Sequence, residues 1–148
     1  MPTYYEDYEV GDTWEFGERT VTKEEIIEFA EKYDPQPFHI DEDAAEETMF
    51  DGLAASGWHT AAICMRMFVE HRVDEASQGA RGVDELRWIK PVRPGDTLTA
   101  KVEVVDKYPD EDSPHIGYID TRLTAYNQED EAVLSWIGLG IIQREPQE

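Results

Sequence analysis

Four β-type segments dominate the second half of this 148-residue chain. They are rich in β-branched and aromatic residues, the composition typical of strands. Two of their connections, Pro91–Asp96 and Asn127–Asp130, are short turns, and short connections imply antiparallel pairing. The sequence therefore predicts an antiparallel sheet with strands at Gly82 to Ile89, Thr97 to Asp106, Ile116 to Tyr126 and Ala132 to Gln143.

The first half predicts one short strand followed by helices. A strand is expected within Val10–Gly17, and a helix is expected to begin at Thr22, because Glu25 three residues later completes a capping-box pattern. A short acidic helix is expected from Asp41 to Glu47. The stretch that opens near Gly57 carries small and apolar residues on several faces and predicts a buried helix, whereas residues 74–81 predict a polar loop. The pattern indicates one α+β domain, with a helix packed on one face of a curved sheet.

The segment Tyr33–His39 places a carboxylate, Asp34, five positions before an imidazole, His39, across two prolines. Each proline fixes its own φ and biases the residue before it away from helical geometry. Asp34 is therefore expected to end the first helix, and Gln36 is expected to be extended. Such a stiff loop could hold one water molecule between a base and a second polarising group. The alternative interpretation is a helix-closing Asp followed by a surface His.

The formal net charge is −21, from 34 acidic and 13 basic residues. This excess argues against nucleic acid as a partner. Self-repulsion of this size would strain a compact state at low salt, whereas molar salt shortens the screening length to about 3 Å. We therefore expect a salt-adapted protein from a halophile, with an acidic protein from an ordinary cell as the alternative.

Neither a membrane segment nor a metal site is predicted. No apolar run approaches membrane-spanning length, and the N-terminal residues lack the basic and apolar regions of a signal peptide, so a soluble, cytoplasmic protein without membrane contacts is expected. The single Cys64 lies in an apolar stretch and is interpreted as a small buried hydrophobe, with a catalytic thiol as the weaker alternative. The histidines, which show no ligand spacing, are His39, His59, His71 and His115.

Three motifs follow one another along the chain. The first is the loop of Asp34, Gln36-Pro37, Phe38 and His39, and the second is Gly52–Thr60, before the central helix. The third is Val83–Trp88 with the Pro-Val-Arg-Pro-Gly-Asp turn. Together they resemble the MaoC-like dehydratase family, in which Asn usually stands at the place of Gln36 and whose best-known activity is (R)-specific enoyl-CoA hydration. The resemblance implies a single hotdog domain over residues 1–148, in which a curved antiparallel sheet wraps around the central helix.

The resemblance also implies roles for individual residues. Asp34 and His39 would hold the water that adds to the β-carbon of a trans-2-enoyl thioester. The backbone N–H of Gly57, assisted by the Ser56 hydroxyl, would stabilise the thioester oxyanion, although glycine here could instead permit tight helix packing. Arg87 and Arg93 could approach the CoA phosphates or be solvated strand-end charges. His59 is interpreted as a packing residue.

The resemblance further implies an acyl-CoA substrate, no metal or redox cofactor, and a homodimer or higher homo-oligomer. The first functional hypothesis is a hydro-lyase acting reversibly on an enoyl-CoA or related acyl thioester. The alternatives are a non-catalytic acyl-CoA-binding hotdog protein and a hotdog acyl-CoA thioesterase. Asp34 and His39 favour the enzyme, because a pure binder needs no acid-base pair.

Overall fold

The computed structural model describes residues 1–147 and contains one five-stranded antiparallel sheet. Its strand order is β1-β3-β4-β5-β2, so β1 and β2 form the two edges. The sheet curves around one long helix, which confirms the predicted α+β hotdog arrangement. The strands are β1 (Thr13–Thr20), β2 (Ser77–Trp88), β3 (Thr97–Pro109), β4 (Ile116–Tyr126) and β5 (Ala132–Gln143).

The helices lie mainly in the first half of the chain and begin where local capping residues predict. Thr22 accepts a hydrogen bond from the N–H of Glu25, and Asp41 accepts from Asp43 and Ala44. These side chains satisfy backbone donors that a helix start leaves free. After a 3-10 turn at Tyr5–Asp7, the helices are α1 (Lys23–Tyr33), α2 (Pro37–Ile40), α3 (Glu42–Glu46) and α4 (Gly57–Arg72).

The main core lies between α4 and the concave face of the sheet. On the helix, Ile63, Cys64 and Met67 are buried, and they join a cluster that includes Leu123 of β4 and Trp136 of β5. Alternate residues of β4 are buried, as expected for a strand with one face on the core. This packing anchors the N-terminal end of α4, where the site described below is found.

The prediction of a helix buried on all sides is wrong for α4. Met65 and Val69 are 44% and 45% exposed, and they lie on the side opposite the core residues Ile63 and Cys64. The reason is that the sheet of one chain covers only one side of the helix. An apolar helix face is therefore left open in the single chain.

Within the part of the chain that the structure describes, no helix is long and apolar enough to cross a membrane.

Three strand predictions differ from the structure at their ends, and one of them is β3, which was predicted to end at Asp106 and continues to Pro109. The polar loop predicted at residues 74–81 is wrong from Ser77 onward, because β2 begins there and pairs with β5 through Ser77–Ile142 and Ala80–Gly140. Polar side chains are tolerated because β2 is an edge strand with exposed residues. In the first half, β1 lies at Thr13–Thr20, so it contains the strand predicted within Val10–Gly17 and continues three residues beyond it.

Candidate active site

The Asp34–His39 segment links the end of α1 to a short helical turn. Asp34 caps α1, and its backbone N–H donates to the carbonyl of Ala30, as expected for the residue that ends the helix. Gln36 is extended at φ −81° and ψ 145°, as predicted. The stiff loop was expected to continue through His39, whereas residues Pro37–Ile40 form helix α2. Proline at the first helical position explains this, because its fixed φ suits a helix start. The turn carries His39 inward, where it is only 5% exposed, so the surface-His interpretation is wrong.

His39 joins Asp34 through one ring nitrogen and the main chain through the other. Its Nδ1 lies 2.6 Å from the carbonyl oxygen of Ala54, and its Nε2 lies 3.3 Å from Oδ2 of Asp34. A carbonyl oxygen can only accept, so Nδ1 carries a proton. A neutral ring would then turn the Nε2 lone pair toward the carboxylate, an arrangement that is favourable only when a further proton lies between them. A proton between Nε2 and Oδ2 would be shared by the two side chains and could pass from one to the other.

The Asp34 carboxylate accepts hydrogen bonds from two side chains and lies 3.3 Å from a third, His39. Nε2 of Gln36 lies 2.6 Å from Oδ1, and the hydroxyl of Ser56 donates to Oδ2 at 2.7 Å. Burial alone would raise the pKa of Asp34, but hydrogen bonds from Gln36 and Ser56 and the charge of His39 outweigh it and lower the pKa below its usual value. Asp34 is therefore ionised at neutral pH and able to accept a proton.

Ser56 connects the carboxylate to the start of α4. It is the N-cap of that helix, its Oγ accepts from the N–H of Trp58 at 3.3 Å, and it is fully buried. The sequence predicted Ser56 beside the oxyanion. In the structure the Ser56 hydroxyl donates a hydrogen bond to Oδ2 of Asp34, and its role beside the oxyanion stays a prediction.

Gly57, the first residue of α4, packs against Trp88. A Cβ added to Gly57 would stand 2.4 Å from the Trp88 ring, closer than any real contact. Tight packing, one of the two reasons predicted for this glycine, is therefore present. The role of the Gly57 N–H as an oxyanion donor stays a prediction.

These residues surround an open cavity of about 450 Å³. Asp34 and His39 supply its acid-base groups, whereas Phe38, Trp58 and Trp88 supply aromatic walls. The indoles of Trp58 and Trp88 meet edge to face at 5.1 Å. The cavity thus combines a carboxylate and an imidazole with an apolar lining, the usual composition of a small-molecule site.

The two arginines predicted near CoA phosphates do not line this cavity. The Arg93 guanidinium donates to the carbonyls of Gly52 and Leu53 at 2.8 and 3.2 Å, and also to that of Phe50, so it braces the segment that leads to α4. Arg87 donates to the neighbouring Leu86 carbonyl. Lys90 is the cation found at the cavity, where it forms an ion pair with Glu131. Phosphate contacts of Arg87 and Arg93 stay predictions.

Two further titratable side chains lie outside the cavity. His59 is buried and stacks on Phe29 with ring centroids 4.9 Å apart, and burial lowers its pKa. This geometry agrees with a packing role. Cys64 is fully buried, which raises its pKa to about 12, so the interpretation as a buried hydrophobe is confirmed.

Sequence reasoning missed the contacts that Gln36 and Trp88 make. The signal for Gln36 was its position two residues after Asp34 and between two prolines, which restrict the backbone at this residue. No comparable signal identified Trp88, because its contact with Gly57 joins residues distant in the chain.

Comparisons with known proteins agree with this fold. Residues 7–122 match the family described as MaoC like domain. The uncharacterized protein YdeM of Bacillus subtilis is 33% identical over 130 residues, covering 86% of this chain and 90% of that protein. An (R)-specific enoyl-CoA hydratase of Rhodospirillum rubrum is 31% identical over 114 residues, covering 72% of this chain and 73% of that protein.

A solved structure is similar over almost the whole chain. The crystal structure of a MaoC-like dehydratase from Rhodospirillum rubrum gives a TM-score of 0.91 at 37% sequence identity. The similarity covers 97% of this chain and 99% of that chain.

Proposed function

The chain belongs to the MaoC-like domain family, and from that premise we propose that it is a hydro-lyase that reversibly hydrates a trans-2-enoyl-CoA, or a related acyl thioester, to the 3-hydroxyacyl thioester. The observation that carries this proposal is the contact between Asp34 and His39 at 3.3 Å in an apolar cavity. A base and a protonated imidazole side by side are what water addition to a polarised double bond requires.

Hydration needs one proton taken from water and one given to carbon. Asp34 accepts a proton from the water whose oxygen bonds to the β-carbon, while the π electrons of the double bond shift toward the thioester oxygen. Nε2 of His39 donates its proton to the α-carbon. Asp34 then passes the proton from water to Nε2 across the short gap between them, which restores the starting state. No net proton is gained or lost in the cycle.

The developing charge on the thioester oxygen requires a donor, and the start of α4 supplies a candidate. The N–H of Trp58 is taken by the Ser56 hydroxyl, and the N–H of His59 by the Ser56 carbonyl. Among residues 1–147 no acceptor is found for the N–H of Gly57, which is left for a ligand. A backbone donor at a helix start stabilises an oxyanion without a formal cation.

We also propose that the enzyme acts in the cytoplasm as a homodimer or higher homo-oligomer. The support for association is the apolar face of α4, where Met65 and Val69 are nearly half exposed, beside the edge strand β2. A second copy could cover this face, and light scattering during size-exclusion chromatography would measure the mass. A monomer at micromolar concentration would contradict this part of the proposal.

The alternative functions predict different products from the same assay. The purified protein would be incubated in high salt with crotonyl-CoA and with longer and branched enoyl-CoAs. The proposal predicts loss of enoyl absorbance without release of free thiol. Thiol release would identify a thioesterase, and ligand binding with neither change would identify a non-catalytic acyl-CoA-binding protein.

A further inference from the structure

Gln36 is tied by its main chain to both members of the proton-transfer pair. Its N–H donates to the carbonyl of Asp34 at 2.8 Å, and its own carbonyl accepts from the N–H of His39 at 2.9 Å. Pro35 and Pro37 on either side restrict the backbone further. The backbone of Gln36, from which its exposed side chain reaches Asp34, is therefore set by the same short segment that sets Asp34 and His39.

The side chain of Gln36 completes the set of donors around the carboxylate. A carboxylate offers about four acceptor positions on its two oxygens. Ser56 and His39 lie on Oδ2, and Nε2 of Gln36 lies 2.6 Å from Oδ1. Among residues 1–147 no other hydrogen-bond donor to this carboxylate is found, which leaves the fourth position, on Oδ1.

We propose that Gln36 is a positioning residue: its amide fixes the plane of the Asp34 carboxylate and leaves the remaining lone pair on Oδ1 for the water that attacks the substrate. This inference rests on the proposed hydratase function. Gln36 itself lines the cavity, so its amide lies at the side from which water and substrate approach. Donors on both oxygens restrain the rotation of a carboxylate, and a restrained base is effective because proton transfer depends on short, aligned contacts.

The hydrogen bond also has an electrostatic consequence that can be measured without substrate. A donor to a carboxylate favours the ionised form, and the bond from Gln36 is the largest of the influences that lower the pKa of Asp34. Removal of the amide donor therefore raises the pKa of Asp34. A residue that merely braced the loop would leave the titration of Asp34 unchanged.

The test uses two variants and one matched control. Gln36→Met keeps the length of the side chain and removes the donor, whereas Gln36→Glu places a second carboxylate beside Asp34. The control is Gln78→Met, because Gln78 is exposed on β2 and contacts only the Glu75 carbonyl at 3.4 Å. NMR titration of the Asp34 side-chain carboxyl, identified by its disappearance in Asp34→Asn, reports the pKa in each protein.

We expect the pKa of Asp34 to rise in Gln36→Met, to rise further in Gln36→Glu, and to stay at the wild-type value in Gln78→Met. The acid limb of kcat/KM for crotonyl-CoA hydration should move to higher pH in the same order, with unchanged thermal unfolding midpoints. An Asp34 titration that is unshifted in both Gln36 variants overturns the inference even when the wild type hydrates enoyl-CoA. A shifted titration in a protein that hydrates no enoyl thioester upholds the link between Gln36 and Asp34 and contradicts the proposed function instead.

Discussion

The Trp88 indole lies against the backbone of Gly57 so closely that a Cβ on this glycine would stand 2.4 Å from the ring. This contact places an aromatic wall beside the backbone N–H proposed to bind the thioester oxygen. Gly57 thus has a packing role against Trp88 and a proposed role as a backbone hydrogen-bond donor. The packing role can be tested by mutation, because a substitution at Gly57 keeps the backbone N–H.

Gly57→Ala is expected to destabilise the fold by about 1–3 kcal/mol, because the added methyl overpacks the contact with Trp88. The double variant Gly57→Ala/Trp88→Ala should recover part of this loss, since the clash is removed. Chemical denaturation measures both effects. The control is Gly82→Ala, where an added Cβ meets nothing within 4 Å. A Gly57→Ala protein as stable as Gly82→Ala would contradict the packing role.

Ser56→Ala is expected to remove two interactions at once. Loss of the N-cap of α4 should cost about 0.5–2 kcal/mol of stability. Loss of the hydrogen bond to Oδ2 should raise the pKa of Asp34, because that bond favours the carboxylate. Only ionised Asp34 accepts a proton from water, so activity falls as pH drops through its pKa. The acid limb of kcat/KM should therefore move to higher pH.

The control for this change is Thr22→Ala, which removes the N-cap of α1. Thr22 is exposed, and its side chain contacts Glu25 and not Asp34. It should lower stability with no shift in the pH profile. If both variants gave the same pH profile, Ser56 would be a cap and nothing more.

Arg93→Met is expected to lower stability by about 1–3 kcal/mol, because it leaves partly buried carbonyls without their charged donor. Arg87→Met serves as the comparison, since Arg87 is exposed and contacts only its neighbour's carbonyl. Denaturation curves and the KM for crotonyl-CoA would be measured for both. A stable Arg93→Met protein with a raised KM would instead support contact with the CoA phosphates.

The free energy of unfolding is expected to increase from low to molar potassium chloride. The net charge of −21 produces self-repulsion, and the screening length falls from about 10 Å at 0.1 M to about 3 Å at 1 M salt. Chloride is preferred to sulfate because sulfate also strengthens apolar burial. Stability that does not change with salt would contradict the proposed adaptation to a halophilic cell.

Features that depend on neighbouring residues were predictable from the sequence. The caps at Thr22 and Asp41 act within three residues. The predicted bounds of β4 and β5 match the observed strands, and the burial of β4 alternates along most of its length. The ending of α1 before Asp34 follows from proline geometry alone.

Features that depend on distant contacts were not predictable. The start of β2 at Ser77 is fixed by pairing with Ile142, and the guanidinium of Arg93 is held by carbonyls some forty positions earlier in the chain. The same holds for the bond between Ser56 and Asp34, which joins two helices and brings the predicted base to the start of α4. Sequence motifs predicted the pair of Asp34 and His39, whereas the donors that contact Asp34 emerge only from the fold.

The most direct test of the proposed mechanism is the kcat/KM for crotonyl-CoA hydration by Asp34→Asn, compared with the wild type at neutral pH and high salt. Asparagine keeps the shape of the side chain but cannot accept a proton from water. The mechanism predicts a fall of about 10²- to 10⁴-fold, with the thermal unfolding midpoint little changed. A folded Asp34→Asn protein whose kcat/KM stays within a few-fold of the wild type would show that Asp34 is not the base.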